Sequence, residues 1–185
     1  MQTIDQLFVT ELWEALGAEQ TVAATLERLT QCQSDPRLQQ AFGAHLAETR
    51  TQIDRLEQAL SMLGEPATPT FCEGIQGIVD EHAAFVLKNS PSPQVHAAFD
   101  LGAAQKVEHY EMATYEHLVG LADRLGYRQI AQLLETSLTE ELRQLERLGA
   151  IDLVEPVPAQ QQRAVQQQRP VAQQRQHPSG QFGQR

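Results

Sequence analysis

The chain is poor in aromatic side chains, 5 % of the total, and runs of β-branched residues are scarce. A core of short alternating strands is therefore not expected. Its two cysteines, Cys32 and Cys72, belong to no CxxC pair or Cys/His array. That excludes a disulfide scaffold and a thiolate zinc finger, and leaves ordinary core or helix-end thiols. No apolar run approaches about 18 residues, so no membrane span is expected. The opening Met1-Gln2-Thr3-Ile4-Asp5 carries neither the basic flank nor the apolar centre of a secretory leader, and a cytoplasmic location is the expectation. Basic residues are also short, 14 against 24 acidic, for a net charge of -10. The imbalance is uneven. Residues 156–185 hold four arginines (Arg163, Arg169, Arg175, Arg185) and no Asp or Glu, so the remainder carries 10 basic against 24 acidic side chains, or -14. A body this acidic is not built to bind nucleic acid.

What is abundant is Ala, Leu, Glu and Gln, which favour helix. The spacing predicts a first helix over 3–33. Thr3 and Gln6 fit a capping box, and Ile4, Leu7/Phe8, Leu12, Ala15, Val22, Leu26 and Leu29 form an apolar stripe that contains Glu19. Asp35 and Pro36 cap and open a second helix over 36–63, ended by Gly64 and Pro66. Its stripe is apolar at both ends, from Leu38 and Phe42 to Leu56 and Leu60. Between them it is polar, with His45, Glu48/Thr49 and Gln52. Thr70 and Glu73 look like another capping box, opening a helix over 71–88, where Glu81-His82 reads as solvated. Asn89-Ser90-Pro91-Ser92-Pro93 breaks it. A helix over 93–125 follows, with the stripe Leu101, Ala104, Glu108, Glu111, Tyr115, Leu118, Ala122, Leu125, and Gly126 ends it. The last helix, 127–148, places Ile130, Leu134, Leu138, Glu141, Leu145 and Leu148 at heptad spacing, with Glu140 beside Glu141.

Two tight connections and one long one with its own helix specify an all-α, ferritin-like antiparallel four-helix bundle with a crossover helix between the second and third bundle helices. The bundle is assigned to residues 1–155. Residues 156–185, rich in Gln, Arg and Pro with no apolar stripe, are assigned to a disordered tail.

Carboxylates inside apolar stripes are costly unless paired or bound to metal. Each bundle helix offers at least one near its middle: Glu19, then Glu48 beside His45, then Glu108 or Glu111, then Glu140 or Glu141. Their convergence predicts one buried cluster with His45 at its edge. Heptad spacing favours Glu141 as the inward residue of the last helix. Glu140 is favoured instead by an echo in the spacing, since Glu19 to Glu48 and Glu111 to Glu140 are both 29 residues. An oxygen-rich set with one imidazole suits Fe(II) or Mn(II).

Several pieces of the chain are familiar. They are Leu7-Phe8 with Glu11-Leu12, Ala18-Glu19-Gln20, His45-Leu46-Ala47-Glu48-Thr49 with Gln52, and above all Ala103-Ala104-Gln105-Lys106-Val107-Glu108-His109-Tyr110-Glu111. Together with Leu133-Leu134-Glu135 and Glu140-Glu141 they resemble the YciF/YciE-type stress proteins of bacteria, a ferritin-like family, over about residues 3–148. The resemblance implies a bundle, dimeric, with a di-iron carboxylate centre and a role in bacterial stress. Two such ions need bridging carboxylates to neutralise their charge, so Glu48 with Glu140 or Glu141 is expected to bridge, Glu19 and Glu108 or Glu111 to be terminal, and His45 to supply one nitrogen. Iron oxidation or peroxide removal is the activity such a centre implies, with manganese as the other metal. The competing expectation is a non-enzymatic dimeric stress or scaffold protein with an empty site. The last helix departs from the Glu-x-x-His usual in ferritin-like sites, since Arg143 follows Glu140 and Gln144 follows Glu141 at that spacing.

Removing residues 156–185 is expected to leave the melting temperature unchanged. Their composition buries too little apolar surface to offset about 1–2 kcal/mol of chain entropy per residue. A calorimetric scan of the truncated chain checks this, and a large drop would mean that the segment packs on the bundle.

Overall fold

In the computed structural model, residues 1–153 are described, and five helices account for nearly all of them: α1 (Ile4–Cys32), α2 (Pro36–Leu63), α3 (Glu73–Asn89), α4 (Pro93–Leu125) and α5 (Arg128–Gly149). No strand occurs among the described residues. The tail expected over 156–185 lies outside them.

The helix ends follow local chemistry. The Thr3 side chain accepts from the Gln6 N–H, and the Asp35 side chain accepts from the Arg37 N–H with Pro36 in the first turn of α2. Gly64 and Gly126 close α2 and α4 in the left-handed region, with φ of 74° and 81°. The expected capping box at Thr70 is not formed. Cys72 is the residue before α3 and makes no side-chain cap. Thr70 is engaged elsewhere, its N–H donating to the Trp13 carbonyl at 3.0 Å. The Trp13 indole N–H in turn donates to the Pro66 carbonyl at 2.8 Å. These two bonds tie the crossover to α1.

That tie requires a glycine. A Cβ on Gly17 would lie 1.8 Å from the Thr70 carbonyl oxygen. Only a residue without a side chain lets the crossover backbone lie this close to α1.

The interior consists of two apolar clusters with a polar layer between them. One joins Phe8, Leu12 and Leu16 of α1, Leu56 and Leu60 of α2, Tyr115 and Leu118 of α4, and Ile130 and Leu134 of α5. The other joins Val22 and Leu26, Leu38 and Phe42, Ile75 of α3, Ala97, and Leu148. The N-terminal half of α1 thus meets the C-terminal halves of α2 and α4, the antiparallel arrangement expected. Ile75 is the only residue of α3 that is fully buried, so the crossover helix is held much less firmly than the other four.

Gly17→Ala is expected to destabilise by roughly 1–3 kcal/mol, since either α1 or the crossover must shift. Gly120→Ala, also inside a helix but with nothing within 4 Å of a new Cβ, should instead be neutral or gain up to about 1 kcal/mol. Urea denaturation of both variants tests the contrast. Equal effects would mean that the crossover does not depend on close approach at Gly17.

Candidate metal centre

The layer between the apolar clusters is where each stripe turns polar. Its buried residues are Glu19, His45, Thr49, Gln52, Glu108, Glu111, Ser137, Glu141 and Gln144. Positions three and four apart lie on one helix face, so Glu108 and Glu111 face inward together, as do His45, Thr49 and Gln52.

His45, Glu108, Glu111 and Glu141 form the centre, each offering one ligand atom with all four atoms within 4.8 Å of one another. His45 Nδ1 lies 3.1 Å from Glu108 Oε1, and His45 Nε2 lies 3.7 Å from Glu141 Oε2 and 4.0 Å from Glu111 Oε2. Neither imidazole nitrogen makes a hydrogen bond, nor does any oxygen of Glu108 or Glu111. Glu141 is steadied by Gln52, whose side-chain amide donates to Oε1 at 2.5 Å. Glu19 accepts from the Tyr115 hydroxyl at 2.6 Å and leaves its other oxygen unpartnered.

Burial dominates the electrostatics. It pushes all four carboxyls upward: Glu19 and Glu111 well above the usual range, Glu108 to about 11 and Glu141 to about 7. Mutual repulsion adds to this, with Glu141 acting on Glu19, and Glu19 and Glu141 acting on Glu111. His45 moves the other way, down to about 3, by burial and then by the nearby Arg147 charge. It is therefore neutral, with a ring lone pair free to bind a metal.

The donor set fits a divalent metal. Unpartnered buried polar atoms are rare in proteins, and here they converge from three helices. A cation would satisfy them together and remove the repulsion.

Glu48 and Glu140, expected as ligands, are not brought into the cluster. Both are held at its flank by arginines. Glu48 is ion-paired with Arg147. Glu140 receives two hydrogen bonds from Arg55, at 2.6 and 2.8 Å. Each helix supplies a glutamate and, seven residues on, an arginine: Glu48 and Arg55 on α2, Glu140 and Arg147 on α5. Antiparallel packing pairs them reciprocally. The 29-residue echo therefore marks a clamp between α2 and α5, and the heptad spacing marks the inward residue, Glu141.

Gln144, noted in the sequence only as standing where a ferritin-like histidine was sought, is itself part of the buried layer. It is fully buried, its Nε2 is unpartnered, and its Oε1 accepts from Arg147 at 2.7 Å. Sequence reasoning missed Asp100, which is buried and in contact with His82 and His96. Asp100 lies between Ala97 and Ala104 at helical spacing, which was the available signal. The solvated reading of Glu81-His82 holds for Glu81, exposed and paired with Lys106, and fails for His82. That histidine continues the inward stripe of Ile75, Ile78/Val79 and Phe85/Val86.

The comparisons agree with this architecture. A family model described as Domain of unknown function (DUF892) matches residues 3–156. The Escherichia coli protein YciF is 38 % identical over 142 residues, 76 % of this chain and 85 % of that protein. The solved structure of the E. coli stress protein YciF is similar with a TM-score of 0.75 at 36 % identity, covering 80 % of this chain and 94 % of that one. YcfI from Rhodopseudomonas palustris gives 0.78 at 31 % identity, covering 82 % and 96 %.

Metal-free protein is expected to lose stability as pH rises. The raised carboxyls keep protons that the unfolded chain releases above the ordinary carboxyl value of 4.5, so their contribution fades from there through the folded value, about 7 for Glu141. The lowered His45 acts oppositely, weakening the fold as pH falls from 6.5 towards about 3. Four carboxyls outweigh one imidazole, so chelator-treated protein should melt higher at about pH 5.5 than at about pH 8. Glu111→Gln should reduce that slope. A melting temperature that climbs steadily from acid to neutral pH would contradict the burial of these groups without counter-charge.

Proposed function

Since the chain belongs to the DUF892 family, and most of it is similar to a stress protein of E. coli, we propose that it is a bacterial stress-response protein whose buried cluster holds redox-active iron. The observation that carries this reading is the convergence of His45, Glu108, Glu111 and Glu141 with their ligand atoms unpartnered. Glu19 completes the set. Four glutamates balance the charge of two divalent ions, which favours a di-iron centre over a single ion; manganese is the alternative metal. Held by these residues, an iron pair would supply the electrons for reduction of dioxygen or peroxide, so iron oxidation or peroxide removal would be the activity.

The chain's own residues would set the conditions. Burial keeps bulk water from the cluster. The Gln52 amide and the Tyr115 hydroxyl hold Glu141 and Glu19 in place. The Glu48–Arg147 and Glu140–Arg55 pairs close the flank between α2 and α5. The protein acts in the cytoplasm as a homodimer in this reading.

A second reading has one observation of its own. Glu48 and Glu140 are neutralised by arginines, and Gln144 stands in place of a histidine. That thinner ligand set suits a non-enzymatic dimeric scaffold with an empty site.

Anaerobic Fe(II) titration of untagged protein separates the two. About two equivalents are expected to bind and to be oxidised on addition of dioxygen or peroxide. Glu111→Gln and Glu141→Gln should each abolish this while leaving the helical spectrum intact. Absence of tight Fe(II) and Mn(II) binding, with a melting point unmoved by either ion, would overturn the metalloprotein reading and favour the scaffold.

A further inference from the structure

A second group of metal-type ligands lies outside the buried cluster. His96 and Asp100 are one helical turn apart on α4, and His82 faces them from α3. His82 Nε2 is 2.6 Å and His96 Nε2 is 3.4 Å from the same oxygen, Asp100 Oδ1. The other oxygen of Asp100 accepts from the Gln33 side-chain amide at 2.7 Å. Gln33 is itself fixed, because its Oε1 accepts from the Asp35 N–H at 3.0 Å. The His82 ring is stacked on Phe99 with 5.6 Å between centroids, and Phe99 stacks on Phe85. The three ligand atoms thus lie within 4.8 Å of one another, and each outer support is a separate residue.

We propose that His82, His96 and Asp100 form a second metal site, which takes a borderline divalent transition ion, Zn(II) by preference, and fastens α3 to α4. Two imidazoles and one carboxylate are a common protein ligand set for such ions, which leave the remaining positions to water. Ligand atoms about 2.0–2.1 Å from a tetrahedral ion are about 3.3–3.4 Å apart. The His96–Asp100 separation already matches, and His82 needs to withdraw by less than about 1 Å. The histidine side chains are 18 % and 38 % exposed over an Asp100 side chain that is 4 % exposed, so an ion reaches the site from solvent. Gln33 orients the carboxylate as metal-binding carboxylates require.

A plain hydrogen-bonded triad, with both imidazoles donating to Asp100 Oδ1, is the competing arrangement, and metal titration separates the two. The ligand chemistry differs from that of the buried cluster, where oxygen dominates. Asp100 and Glu108 are eight residues apart on α4, about 12 Å along the axis. The consequence falls on α3, whose only fully buried residue is Ile75. A metal bridge would give this lightly packed helix a second attachment, to α4 and through Gln33 to the end of α1.

The test uses the full chain without an affinity tag, with Cys32→Ser to remove the exposed thiol and Glu111→Gln to disable the buried cluster, which would otherwise take up the same ions. Co(II) is titrated as a spectroscopic probe and Zn(II) as competitor. About one equivalent of Co(II) should give ligand-field bands that Zn(II) displaces, and Zn(II) should raise the melting temperature. His96→Gln and Asp100→Asn should each weaken Zn(II) binding by about tenfold or more and remove both signals. If Asp100→Asn fails to fold, His96→Gln decides, since its imidazole is partly exposed. Unchanged Co(II) bands and Zn(II) affinity in His96→Gln would overturn the site, as would the absence of both from the Cys32→Ser, Glu111→Gln parent.

Discussion

Four carboxyls and an imidazole buried in one low-dielectric layer impose the constraint on which this bundle rests. Without a counter-ion the carboxyls must hold protons far above their usual range, as Glu108 does at about 11. Replacing the layer with apolar residues of similar size would be expected to strengthen the fold, because buried ion sets rarely surpass hydrophobic packing. The layer therefore has no stability rationale of its own. It is held in place by the apolar clusters on either side, each drawing side chains from α1, α2, α4 and α5, which anchor every helix that contributes a ligand both above and below the layer.

The sequence disclosed the architecture almost completely because each helix end has a local chemical cause. Asp35-Pro36, Gly64 and Gly126 are cap residues whose conformational preferences do not depend on distant parts of the chain. The Thr70–Glu73 box failed for the opposite reason. Its backbone donor is claimed by Trp13, 57 positions earlier in the chain, and Gly17 lets the two segments touch. No local pattern reports such a contact.

Legibility of the candidate site divides along the same line. Glu19, His45, Glu108 and Glu111 lie within the stripes and all are buried, so the choice left open between Glu108 and Glu111 falls away, since both turn inward. Glu48 and Glu140 each neighbour a stripe position, and period alone does not say which of two adjacent residues turns inward. An arginine on the facing helix decided it, drawing each glutamate to the flank. His82 was misread as solvated and Asp100 was missed because they meet each other across α3 and α4, with Gln33 joining from the end of α1, a meeting that only the tertiary fold produces.

The reciprocal clamp also exposes an asymmetry in the site. Positions 92 apart match across the two helical hairpins: Glu19 and Glu111, Glu48 and Glu140, Gln52 and Gln144, Arg55 and Arg147, Leu56 and Leu148. Scaffold and clamp are thus repeated in α1–α2 and α4–α5. The ligands depart from the repeat. Glu108 answers to Leu16, His45 to Ser137, and Glu141 to Thr49. Gln52 accordingly finds Glu141 to hold, whereas Gln144 faces a half in which Thr49 occupies the equivalent place. Both Gln144 Nε2 and Thr49 Oγ1 are left without a partner. Three of the four converging residues therefore sit where the halves differ, and only Glu111 has its twin, Glu19. Two ions held here would be inequivalent, since only one half supplies an imidazole and the other supplies three of the four glutamates. The repeated hairpin builds the layer, and the chemistry resides in its departures from symmetry.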